Sequence, residues 1–375
     1  MVKKIYVVTF LLSFVLSFVY IFAHMVWNMW ITKSFNNIRA GNAETVIENV
    51  FPGRGKITEL YGLTNKVLSP KIIDRIVKER DGYLISLGLP IDNTDYASRK
   101  LAELRDFCEK KNIQFAYISY PSKADSSNYG AVYGIDYRNE ELREKFLSKL
   151  NEHNISVLDI RKQLEREGLN RREIFYKTDH HWNTRSGLFA ARSIINFLHD
   201  KGNSTKPANL NADNFTYTDY NDCWFGETGR KCSFTWVGSL DDFTIIKPKY
   251  NTSFDYIVPN EFNKMGDFSL LINESLFEEK IDIYSTSLHY SYMPGANKNT
   301  IVKNNTLENG AKILIIKDSF SIVVVPFLSL GCGEINMWDM RGNEESVYEY
   351  IQNNDFDIVL VAYTDYFTDE MYNFF

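Results

Sequence analysis

At 375 residues the chain has room for one large domain or two smaller ones. A hydrophobic content of 44% and a charged content of 24% fit a folded protein and argue against disorder. The net charge of −6 argues against a general binder of nucleic acid or of anionic membrane surfaces. The 23 tyrosines and 26 phenylalanines suit a packed core first and sugar stacking second.

In chain order, Lys3 and Lys4 precede an uncharged apolar run from Ile5 to Ala23. As a helix this run reaches about 28 Å, enough for a bilayer core. Trp27 and Trp30 follow where an interfacial aromatic belt belongs. A cleaved secretory signal is the alternative, but no small-x-small cleavage site precedes Trp27. The expectation is therefore a signal anchor over residues 1–27, a single-pass cell-membrane protein with its bulk extracytoplasmic, and a polar stalk over 28–50. A catalytic domain is expected over 51–375.

Arg80-Asp81-Gly82-Tyr83 reads as a turn entering a strand. Helical spacing then predicts helices over 96–111, 140–152, 184–198 and 344–352, and apolar runs predict strands over 113–119, 155–160, 312–316 and 358–362. Continuous apolar strands between helices imply a three-layer α/β fold around a parallel sheet. Residues 205–305 break the alternation and read as an insertion or lid within that domain. The four cysteines match no zinc spacing; Cys223 and Cys232 are close enough in sequence for a local disulfide, or remain thiols.

Chemical groups gather in a few places. Tyr176-Lys177-Thr178-Asp179-His180-His181-Trp182-Asn183 holds two of the chain's six histidines beside an aspartate, in a loop before a helix. Lys317-Asp318-Ser319-Phe320 lies where a buried strand ends, the place where open α/β sheets build sites. A serine there needs a histidine as base and a carboxylate to orient it. Its own N–H can serve an oxyanion. Taken singly, Asp-Ser is also a common helix cap, and Asp-His-His a potential metal site. Against metal, no third cluster of His or Cys is evident, and adjacent side chains diverge. Tyr120-Pro121-Ser122-Lys123 and Met337-Trp338-Asp339-Met340-Arg341 end two further strands. Each is a turn or a lining of the same cleft, and Arg341 either steadies an anion or pairs with Asp339.

These pieces together resemble the DHHW family and, through it, the alginate O-acetyltransferases of the AlgX and AlgJ type. The resemblance rests on Thr178-Asp179-His180-His181-Trp182-Asn183, with Asp81-Gly82-Tyr83-Leu84, Pro121-Ser122-Lys123, Lys317-Asp318-Ser319-Phe320 and Asp339-Met340-Arg341 in the family's order. It spans roughly residues 50–370. It implies a circularly permuted SGNH-hydrolase-like (flavodoxin-like) fold in which Asp179 orients, His181 is the base and Ser319 the nucleophile. Ser122, Lys123, His180, Trp182, Arg341 and Tyr292 are the expected substrate or oxyanion contacts. No metal or cofactor is implied. The implied activity is acetyl transfer to an exported or cell-surface polysaccharide, with a carbohydrate esterase or a non-catalytic assembly protein as alternatives. A membrane-bound O-acyltransferase is the implied acyl supplier. The strand expected at 358 stands near the end of the sequence, so the expectation is that the carbohydrate-binding module of the AlgX type is absent and alginate itself is not implied. Lys317 stands where the family has glycine.

Overall fold

A computed structural model describes residues 15–16, 19–27, 30, 54–68, 72–79, 81–87, 92–124, 138–277, 283–284, 286–296, 298–341, 343, 345–364 and 372. The chain divides into two compact units, Met1–Pro70 with Lys231–Trp236, and Lys71–Arg230 with Val237–Phe375.

In the first unit the helix Arg54–Leu68 carries Glu59, whose carboxylate accepts the Phe234 and Thr235 amides, both at 3.0 Å. Among the described residues no helix is long and apolar enough to cross a membrane. This overturns the expected N-terminal transmembrane helix, and with it the signal anchor and the single-pass localisation. The described helical stretch over 19–27 reaches about 13 Å, under half of a bilayer core. Residues 5–14 and 17–18 of the apolar run, and all of the expected stalk except Trp30, lie outside the described residues.

The second unit opens with a small antiparallel sheet of β1 (Ile72–Ile73), β2 (Ile76–Lys78) and β3 (Leu84–Ser86). Its main strands are β4 (Gln114–Ser119), β5 (Ser156–Asp159), β6 (Phe215–Trp224), β7 (Asp241–Pro248), β8 (Phe254–Val258), β9 (Phe262–Gly266), β10 (Asn299–Asn304), β11 (Lys312–Lys317), β12 (Glu334–Trp338) and β13 (Ile358–Tyr363). An eight-stranded sheet takes the order β5-β4-β13-β11-β12-β10-β8-β9. The first five strands run parallel, whereas β12–β10, β10–β8 and β8–β9 pair antiparallel. The sheet is thus mixed, not parallel throughout. Its antiparallel strands come from 254–304, inside the stretch read as an insertion, and β6 and β7 pair separately as a hairpin.

Alternating residues of the parallel strands feed two cores. Ala116, Ile118, Ile313, Ile315, Leu360 and Ala362 meet the helix Thr184–Asp200 through Leu188, Ala191, Ile195 and Leu198. On the opposite face Phe115, Tyr117, Leu314, Ile316, Val359 and Val361 meet the helices Thr94–Glu109, Arg138–Glu152 and Val347–Gln352. Burial on both faces explains why these strands read as unbroken apolar runs. Asn183 caps the helix Thr184–Asp200 by accepting the Ser186 amide at 3.0 Å. Gly187 lets that helix approach the turn after β11, because a Cβ there would lie 2.7 Å from the Val323 carbonyl oxygen.

Candidate active site

Two segments meet at the carboxyl end of β11. The first is a tight reversal closed by the bridge between Phe175 and Trp182, which presents residues 176–181. The second is the short 3-10 turn Ser319–Val323, capped by Asp318. Trp182 joins them, donating its indole N–H to the Phe320 carbonyl at 3.0 Å.

His181 lies with Nδ1 2.6 Å from Asp179 Oδ1 and Nε2 2.8 Å from Ser319 Oγ. A carboxylate only accepts, so Nδ1 carries the proton and Nε2 offers its lone pair to the serine hydroxyl. Asp179 also accepts the His181 amide on Oδ1 at 2.9 Å and the Glu227 amide on Oδ2 at 2.6 Å. Burial alone would raise this carboxyl, but the neighbouring His181 and His180 and these hydrogen bonds outweigh it and hold it well below the usual carboxylate range. The Asp179 carboxylate therefore stays ionised.

The loop bearing Asp179 is clamped from several sides. Lys123 Nζ donates to the Lys177 and Asp179 carbonyls at 2.9 and 2.8 Å. Asp241 accepts the Thr178 amide at 2.8 Å, the Thr178 hydroxyl at 2.5 Å and the Lys177 amide. Burial pushes the Lys123 ammonium down to about 7 and the Asp241 carboxyl up to about 6. Gly226 fits beneath the loop only because it lacks a Cβ, which would lie 2.6 Å from the Asp179 nitrogen and Cα. The nucleophile turn is fixed similarly. Asp318 accepts Phe320 N–H at 3.0 Å, Thr364 N–H at 2.7 Å and the Thr364 hydroxyl at 2.8 Å.

Of the expected residues, Asp179, His181 and Ser319 form one hydrogen-bonded line, and Trp182 spans the two segments. His180 is half-exposed, its ring centroid 3.8 Å from that of His181. Lys123 is buried against the loop backbone, and Ser122 Oγ accepts the Ala124 amide at 3.2 Å. The Arg341 side chain makes two hydrogen bonds to Asp339, at 3.0 and 2.8 Å, and Lys317 joins that carboxylate at 2.8 Å. Burial opposes ionisation of Asp339, yet Arg341 and Lys317 bring its carboxyl down to about 2. Tyr292 is buried, its hydroxyl accepting the Ile246 amide at 2.9 Å. None of the four cysteines is in a disulfide.

Sequence reasoning missed His289, Asp241, Gly226 and the Glu227 amide. His289 stacks on His181 at 3.7 Å between centroids with planes 12° apart, and its Nε2 lies 2.8 Å from the Ser319 carbonyl. The scarcity of histidine was the one available signal for it; a backbone amide such as Glu227 N–H leaves none.

The fold is similar to that of SGNH-hydrolase-like acetyltransferases. Residues 92–224 match the family model described as an SGNH hydrolase-like domain, acetyltransferase AlgX, so the resemblance drawn from the motifs is borne out. Bacillus cereus PatB1 has the same fold, with a TM-score of 0.65 at 20% identity over 80% of this chain and 99% of that one. A DHHW family protein from Eubacterium siraeum superposes with a TM-score of 0.55 at 20% identity, covering 77% of this chain and 90% of that one. No curated protein sequence matches at a significant level.

Proposed function

We propose that this chain is an O-acetyltransferase that carries an acetyl group on Ser319 and passes it to a hydroxyl of a polysaccharide. The observation that supports this most is the line from the Asp179 carboxylate through the His181 ring to Ser319 Oγ, at 2.6 and 2.8 Å.

In this reading His181 Nε2 takes the Ser319 proton as Oγ attacks the donor's acyl carbon. Asp179 stays ionised and holds the imidazolium that forms. The Ser319 N–H serves in this reading as a donor to the developing oxyanion. Collapse expels the donor alcohol, which takes its proton from His181 and leaves an acetyl ester on Ser319. A sugar hydroxyl then gives its proton to His181 and attacks the ester; collapse releases the acetylated sugar, and Ser319 Oγ takes the proton back from His181. A membrane-bound O-acyltransferase as acyl supplier belongs to the same proposal, on the resemblance alone.

The test is incubation of the protein with a chromogenic acetyl ester, with and without oligosaccharides, followed by mass spectrometry of the sugars. The expected result is faster ester consumption with sugar present and acetylated oligosaccharide as product. Acetate release with every sugar unmodified contradicts transfer and makes the chain an esterase with the same groups.

A further inference from the structure

We propose that His289 is a positioning residue for this chemistry: its ring braces the face of His181 while its Nε2–H holds the Ser319 carbonyl, keeping base and nucleophile in register. The proposal rests on the reading of Ser319 and His181 as nucleophile and base.

His289 sits in the short turn Leu288–Ser291 and is 1% exposed. Since a carbonyl oxygen only accepts, the nitrogen 2.8 Å from Ser319 O carries the proton. The other nitrogen, Nδ1, is then a bare acceptor, buried with no hydrogen-bond partner among the described residues. An unsatisfied buried acceptor costs about 1–3 kcal/mol. A phenylalanine would fill the same space without that cost, so packing alone does not account for an imidazole here.

The ring's two contacts fall on the two groups that exchange the proton. When Ser319 Oγ gives its proton to His181 Nε2, the cation so formed lies flat against His289, 3.7 Å between centroids. A neutral aromatic face stabilises a cation placed over it. A second cation at that distance would oppose it. The ionisable groups facing His289 are Asp179, His180 and His181 from the loop, with Tyr290 beside it in its own turn. Burial and His181 hold it well below the usual histidine range, so it stays neutral while His181 cycles. His289 neither gains nor loses a proton in the step. Through Ser319 O it also fixes the peptide after the nucleophile, and Asp318 accepts the N–H of that same peptide, from Phe320.

The test compares His289→Phe, which keeps a flat ring without the donor, His289→Gln, which keeps a donor without the ring, and His289→Ala, with Ser319→Ala as control. Hydrolysis of a chromogenic acetyl ester gives kcat and KM, and thermal melting gives Tm. A positioning role predicts that Phe and Gln each lower kcat about tenfold or more with KM nearly unchanged, and that Ala lowers it further. His289→Phe removes the orphan acceptor but also leaves the Ser319 carbonyl without this donor, so its Tm should stay near the wild-type value while kcat falls. Wild-type kcat in both Phe and Gln variants, or a kcat loss that merely follows a falling Tm, overturns the proposal. Turnover by Ser319→Ala would instead overturn the reading of the nucleophile, which separates the two failures.

Discussion

Asp179 uses both carboxylate oxygens, one on His181 and one on the Glu227 amide. Asp179→Asn replaces one acceptor by a donor and admits the wrong His181 tautomer; kcat should fall about 10³- to 10⁴-fold with the circular-dichroism spectrum unchanged. Retained turnover in that variant would contradict the role assigned to Asp179. Lys123 calls for a stability measurement instead. The unfolded chain holds this lysine's proton to about pH 10.4, the folded chain only to about 7. Between those values the unfolded state binds more protons, so this group makes stability rise with pH. Lys123→Met should therefore flatten the rise in urea midpoint between about pH 7 and 9. It should also lower stability by about 1–3 kcal/mol, because two buried carbonyls lose their donor. Asp179, His181 and Ser319 were legible as residues because a local motif carries the first two and a strand end the third. His289 was not, since its partners lie far away in sequence and its own turn has no periodicity.

Among the elements, the parallel strands and the long helices were legible because each buries a continuous or regularly spaced apolar set. The helix expected over 184–198 is found at Thr184–Asp200, and the strand expected over 312–316 at Lys312–Lys317. The antiparallel half of the sheet was not read. Strands β8 and β10 alternate buried and less buried positions, and their polar residues diluted the apolar signal. The close approaches were equally silent. Gly187 looks like any glycine in a helix until Val323 is seen against it. Gly187→Ala should push the helix Thr184–Asp200 from the Ser319 turn, lowering both Tm and kcat. An unchanged Tm would show that the helix adjusts without cost. Gly226→Ala acts on the Asp179 loop, and even an ångström of displacement there should lower kcat about 10²-fold.

At the scale of the whole molecule, the sequence anticipated an α/β domain around a parallel sheet; the α/β fold is shared with PatB1, but the sheet is mixed. The sequence misled at the N-terminus. Apolar composition alone predicts a spanning helix wherever nineteen uncharged residues follow one another. Hydropathy reports what a segment would tolerate, whereas a span also requires the continuous helix that the described residues lack. The function proposed for the molecule depends on none of this. It depends on whether the acyl group passes through one serine. The most direct measurement is peptide mass spectrometry after brief reaction with an acetyl ester or a sulfonyl fluoride. One adduct is expected, on Ser319, absent in Ser319→Ala and strongly slowed in His181→Ala. An adduct on another residue, or one that forms at the same rate without His181, would contradict the proposed function.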